Sequence, residues 1–209
     1  MKIKTLLMGA IAATAFAPAA FAERGSDGNV SIIYWQAPYI LNPFLSGGTK
    51  DVESASMISE PLARYNQDGK LVPWLVTEIP TTSNGGVSSD LSSITWNITP
   101  GLKWSDGSDF TSADVKFTYD YCTHPEGGCA QVTKFEGVSS VETPDATTVV
   151  VNFAAPTPNP YGPFVGGESP IIQAAQFADC LGAKAPECTC PLYTSDASDE
   201  KKAVEHAGT

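Results

Sequence analysis

The chain has 209 residues with 12 basic and 23 acidic side chains, a net charge of −11 and a charged fraction of only 17%. That acidity argues against nucleic acid or an anionic membrane surface as a partner. Four Trp, seven Tyr and nine Phe argue against a disordered chain and for a packed core.

Residues 1–22 read as a targeting segment. Lys2 and Lys4 give a basic start, an uncharged, mostly apolar run follows, and Ala20-Phe21-Ala22 fits the small-x-small cleavage rule. Cleavage is expected after Ala22, giving an exported protein with no lipid-bearing cysteine near the site. Without Lys2 and Lys4, ten basic residues face 23 acidic ones, so the remaining surface is more acidic still.

Val30–Trp35 (Val-Ser-Ile-Ile-Tyr-Trp) predicts a largely buried strand. Pro38, Pro43, Gly47 and Gly48 punctuate an irregular stretch, and Asp51–Leu62 carries apolar residues at helical spacing. Asn66-Gln67-Asp68-Gly69 is a turn, and Pro73 keeps Leu71–Val76 from being a central strand. Thr81–Ser89 reads as a flexible Ser/Gly loop.

Ser92–Tyr121 is the most informative stretch. Ile94, Trp96 and Ile98 alternate with polar residues as in a half-buried strand. Pro100-Gly101 ends it, and Leu102–Gly107 predicts an extended piece closed by a turn, with Gly107 free to take positive φ. Thr111 and Asp114 then form a capping box opening a helix whose apolar face carries Val115, Phe117, Thr118 and Tyr121. Asp106 and Asp109 in this turn are read as turn formers, not as a catalytic carboxylate pair. Val138, Val141 and Thr147–Phe153 predict two further strands.

Five cysteines remain to be placed. Cys122-x-His124 with Cys129 contains metal-ligand types, but zinc sites prefer tighter pairs. In an exported protein Cys122 and Cys129, flanking a Pro-Glu-Gly-Gly turn, are better read as a disulfide. Cys180 and Cys188 form a second short-range pair, although four cysteines allow three pairings. There is no Gly-x-Ser-x-Gly elbow, phosphate loop or dinucleotide fingerprint, so no catalytic residue, metal or cofactor is expected.

The run Ile94–Tyr121, with its Lys103-Trp104-Ser105-Asp106-Gly107 turn and Thr111-Ser112-Ala113-Asp114-Val115 helix start, resembles the solute-binding proteins of peptide-type ABC importers. This is the oligopeptide, dipeptide and nickel-binding family, solute-binding protein family 5. Leu41-Asn42-Pro43, Glu60-Pro61-Leu62, Asp68-Gly69 and Ser169-Pro170-Ile171-Ile172 extend the resemblance from about Val30 to Thr189. It implies an α/β fold, the N-terminal part of a two-lobed type II periplasmic binding protein, with a mixed sheet and an inserted α/β subdomain. Residues 23–59 would be the first core segment of lobe I, 60–170 the inserted subdomain and 171–189 the truncated return to the core. It also implies a monomeric, non-enzymatic periplasmic protein that binds a peptide or small polar solute and delivers it to the permease subunits of an ABC importer. The alternatives are a secreted hydrolase with its catalytic residues in a missing C-terminal part, or a non-transport interaction module.

By the same resemblance, Ser46, Gly47, Gly48 and Thr49 line the ligand cleft. Gly lets a ligand backbone approach closely, and free N–H and C=O groups can pair with it as an added strand. Gly166 and Gly167 are a second candidate contact. Finally, Cys190–Glu200 resembles the translation of a transposase-type sequencing adapter. Residues 190–209 are therefore expected to be a non-native tail, exposed and without buried contacts.

Overall fold

The computed structural model describes residues 32–187. Residues 32–35 belong to one compact unit and Gln36 onward to another. In the first, the expected strand is absent from the described residues: Ile33 is 99% exposed and Trp35 75%. A strand is stable only where a neighbour takes its ladder bonds, and residues 32–35 belong to no ladder among the described residues.

In the second unit, helix α1 is Thr49–Ala55, shorter than expected from the sequence. Its apolar spacing continues to Leu62, but Met57 and Ile58 are about half exposed. Pro61 disfavours helical backbone at Glu60. Leu62 is also needed elsewhere: its N–H donates to the Phe164 carbonyl, and its own carbonyl accepts from Trp74 and Leu75. Strands β1 (Ala63–Tyr65) and β2 (Leu71–Pro73) form a hairpin. Asn66 closes its turn by accepting the Asp68 and Lys70 amides on Oδ1, while Gly69 takes φ 72°.

The main sheet is antiparallel, in the order β3 (Ser93–Asn97), β5 (Thr148–Phe153), β4 (Val138–Asp145). Ile94 lies opposite Val151 and Trp96 opposite Val149, so the alternation seen in the sequence puts these side chains on one buried face. Outer strand β4 has register shifts between Val138 and Ser140 and between Glu142 and Asp145, and it contains Pro144. Outer strand β3 is covered instead: Thr95 donates to the Gly86 carbonyl and Thr77 to that of Asn97. The loop that supplies Gly86 is organised rather than flexible. Asn84 Oδ1 accepts the amides of Thr81 and Gly86 while its Nδ2 donates to the Ile79 carbonyl.

Helix α2 (Ser112–Thr123) packs over β4 and β5 with Val115, Thr118 and Tyr121 fully buried. Its capping box closes as expected, with the Thr111 amide donating to Asp114 Oδ2 at 2.9 Å. The same oxygen accepts from Trp104 Nε1 at 3.3 Å, and Oδ1 accepts the Ala174 amide, 2.9 Å away, at the start of helix α3 (Ala174–Phe177). One turn further along α2, Thr118 Oγ1 donates to the Asp114 carbonyl and accepts from Ile172 N–H. A disulfide joins Cys122 at the end of α2 to Cys129, with Cα atoms 5.0 Å apart. Cys180 is also disulfide-bonded. Its expected pair with Cys188 involves a residue outside those described, as do the cleavage site and the tail.

Asp114 is 6% exposed, so its three donors replace the water it has lost. Asp114→Asn keeps the shape but turns one acceptor oxygen into a donor that faces at least one buried N–H group, whichever way the amide is turned. Equilibrium urea unfolding is expected to show a loss of about 2–4 kcal/mol. A loss below about 0.5 kcal/mol, the range of ordinary surface changes, would refute this role.

Candidate functional site

The segment before α1 is built on short polar contacts. Asn42 Oδ1 accepts the Phe44 amide at 3.0 Å, closing a local turn, and Nδ2 donates to the Tyr121 hydroxyl at 3.0 Å. Phe44 is fully buried, its ring centroid 6.1 Å from that of Tyr121. Burial pushes the Tyr121 phenol above its ordinary value, while the Asn42 hydrogen bond acts the other way. Beyond Phe44, Ser46 Oγ donates to Asp51 Oδ2 at 2.7 Å and accepts from the Gly48 amide at 3.1 Å.

Asp51 is the acidic residue three positions into α1 from its N-cap, Gly48. Its Oδ1 accepts from the Tyr39 amide at 2.7 Å and from Lys50 Nζ at 3.2 Å. Lys50 also donates to the Ala37 carbonyl and lies 3.5 Å from the centre of the Tyr39 ring. Both charged residues are buried, 6% and 4% exposed. Burial alone would raise the Asp51 pKa, but the hydrogen bonds from Ser46, Tyr39 and Lys50 overcome it and hold the carboxyl below its ordinary value. Nothing in the local sequence pattern marks this clamp beyond an acid at the third helical position, which the expected helix start at Asp51 obscures.

The clamp leaves Gly47 in the open. It is exposed, nothing lies within 4 Å of where a side chain would begin, and its N–H and C=O have no hydrogen-bond partner among the described residues. Thr49 is exposed too, whereas Ser46 and Gly48 are half-buried. A side chain at Gly48 would crowd Asp51 Oδ2 at 3.2 Å. Gly166 and Gly167 lie at the other end of α1: Gly166 has φ 77° and donates to the Ala63 carbonyl, and a Cβ on Gly167 would meet Ser56 at 3.1 Å. A seven-residue helix is about 10 Å long. The two candidate glycine pairs therefore flank one short helix without forming a single cluster, and the second pair has a packing reason to be glycine.

Two adjoining depressions, of about 230 and 70 Å³, meet at Ile58, Trp104 and Ser105. The smaller is walled by Leu41, Asn42 and Pro43 on one side and by Ile172, Gln173 and Phe177 on the other. Asp106 borders this region as a turn former. Hydrogen bonds from Ser108 and then Gln173 hold its carboxyl down at about 2, the opposite of what a general acid requires. Asp109 pairs with Lys103. Among the described residues no three His, Cys, Asp or Glu side chains are grouped to hold a metal ion.

The model of the family described as bacterial extracellular solute-binding proteins, family 5 Middle, matches residues 70–206. The match runs past Thr189, where the likeness read from the sequence ends. A Brucella ovis protein with the provisional name ABC transporter peptide-binding protein is 42% identical over 57 residues, covering 27% of this chain and 11% of that relative. Among solved structures, AgaA from A. tumefacien R10 in complex with agropinic acid is 29% identical with a TM-score of 0.60, covering 68% of this chain and 28% of that one. NikA from Brucella suis in complex with Fe(III)-EDTA is 26% identical with a TM-score of 0.54, covering 68% and 27%. Haemophilus influenzae OppA, at 19% identity and a TM-score of 0.61, shares the fold over 69% of this chain and 30% of its own. The chain thus spans less than a third of each of these relatives, and the solved structures have the type II periplasmic binding fold.

The Asp51 clamp has a definite pH signature. A carboxyl held below its unfolded value of 3.8 contributes stability that is fully present above that value and lost as pH falls through the folded value. Urea unfolding of Asp51→Asn and of the parent chain should therefore differ at neutral pH and converge in acid. Curves separated by a constant amount down to pH 2 would refute the clamp. Asp90 and Asp106, whose own carboxyls are lowered to about 2, act equally in both proteins and cancel.

Proposed function

The chain belongs to family 5 of the bacterial extracellular solute-binding proteins, and from that premise we propose that the whole protein is the solute-binding component of an ABC importer. On this reading residues 1–22 direct export to the periplasm and are removed after Ala22. Residues 23–59 and 171–189 belong to the core of lobe I, and residues 60–170 are its inserted subdomain; a non-native origin for residues 190–209 is not proposed, because the family match runs on to residue 206. The protein acts as a monomer. Solute binds between two lobes, and the closed form is delivered to the permease by hinge closure.

The relatives are binding proteins rather than enzymes. The Brucella relative's name points to peptides, while AgaA and NikA bind agropinic acid and Fe(III)-EDTA. The solute class that fits all three is a peptide or a polar solute of similar size. The observation that carries the local assignment is the open backbone of Gly47, presented beside a buried clamp. An exposed N–H and C=O held on a fixed support can pair with an extended ligand backbone without reading its side chains. Ser46, Gly48 and Thr49 complete this edge, with Gly166 and Gly167 as a second contact at the far end of α1.

The test is thermal unfolding of the intact protein against a panel of di- to nonapeptides, with release of cleaved peptide followed in parallel. A binder raises Tm with ligand concentration, by about 2.7 kcal/mol of stability at a hundred times Kd, and leaves the peptide intact. Turnover would favour a secreted hydrolase. Gly47→Val should weaken binding about tenfold or more with little change in unliganded stability. Unchanged affinity in Gly47→Val would remove this residue from the cleft.

A further inference from the structure

The disulfide loop lies directly against the candidate ligand segment. Tyr121, the residue before Cys122, accepts the Asn42 side-chain amide on its hydroxyl and packs against Phe44. Ala130, the residue after Cys129, donates its backbone N–H to the Phe44 carbonyl at 2.8 Å. Gln131 donates its side-chain amide to the Ser46 carbonyl at 3.4 Å. Contacts to residues 42–46 thus leave from both sides of the bond, and the bond fixes the two sides 5.0 Å apart at Cα. Both cysteines are buried, 1% and 9% exposed.

From this arrangement we infer that the Cys122–Cys129 bridge is a positioning device for the Asn42–Gly48 segment. Its value for binding rests on the reading of Ser46–Thr49 as the ligand edge. Gly47-Gly48 is the least conformationally restricted dipeptide available. Left untethered, it would have to be ordered when solute arrives, and that ordering subtracts from affinity. The bridge removes this cost beforehand by holding Tyr121 and Ala130–Gln131 in register with the segment. Asp51 anchors the segment from the helix side, through Ser46 Oγ and Tyr39 N–H. The bridge anchors it from the α2 side, through the Phe44 and Ser46 carbonyls.

Hydrogen exchange on the full chain, read residue by residue, tests this. In Cys122→Ala/Cys129→Ala the amides of Phe44, Leu45 and Gly48 should exchange at least tenfold faster than in the parent chain. Those of β3 and β5 should be unchanged. Ala130→Pro keeps the bridge but deletes the Ala130 N–H, and it should produce the same local pattern. The inference is overturned if residues 44–48 keep their protection in both variants. It is equally overturned if protection falls to the same extent across β3 and β5, because the bridge then supports the whole fold and not this segment. No solute enters the measurement, so its outcome is independent of whether Ser46–Thr49 binds one.

Discussion

The carboxylate of Asp114 is where the Trp104 turn and the start of α2 are tied to a stretch of chain 60 residues further on. Burying an ionised group is costly unless donors replace the lost water, and here the donors come from the Trp104 turn, from the N-cap of α2 and from the first residue of α3. The charge that starts α2 thereby also fixes where the returning chain must lie, some 60 residues later. Thr118 repeats the arrangement one turn further on, passing a hydrogen bond from Ile172 to the helix backbone. The walls of the smaller depression are set by these contacts, since Trp104, Ile172 and Gln173 all line it.

What could be read from the sequence followed how local the determining forces are. Ser92–Tyr121 was legible because alternation, a Gly turn and a capping box each act within a few residues. Where a distant partner decides, local pattern is a poor guide. Ile32–Trp35 has the composition of a strand and no described neighbour to pair with. Met57 and Ile58 keep helical spacing, yet the Leu62 backbone is claimed by Phe164, Trp74 and Leu75. Thr81–Ser89 has the composition of a flexible loop, and its order comes from side chains, chiefly Asn84 with Thr81 and Ser88, whose pairing the composition does not mark.

The candidate site shows the same division. Gly47 was visible as a residue type suited to close backbone approach, and the structure leaves it exposed. The Lys50–Asp51 pair beside it was not visible, because adjacent opposite charges usually mark a solvated surface. Here Tyr39 closes over the pair, its ring against Lys50 Nζ and its amide on Asp51. The sequence carries Tyr39 and Asp51 twelve positions apart, with nothing to mark them as neighbours.

Strand β4 bears on how this body meets other molecules. Two shifts of register and a proline interrupt the rim of the sheet, so β4 offers no continuous ladder of donors and acceptors to an incoming chain. On the opposite rim β3 is already taken up by Gly86 and Thr77. Among the described residues, neither rim of this three-stranded sheet therefore presents an uninterrupted edge to a second copy. If Gly47 serves as proposed, backbone recognition falls instead to a loop, whose short open edge seats a ligand backbone without lengthening either described sheet.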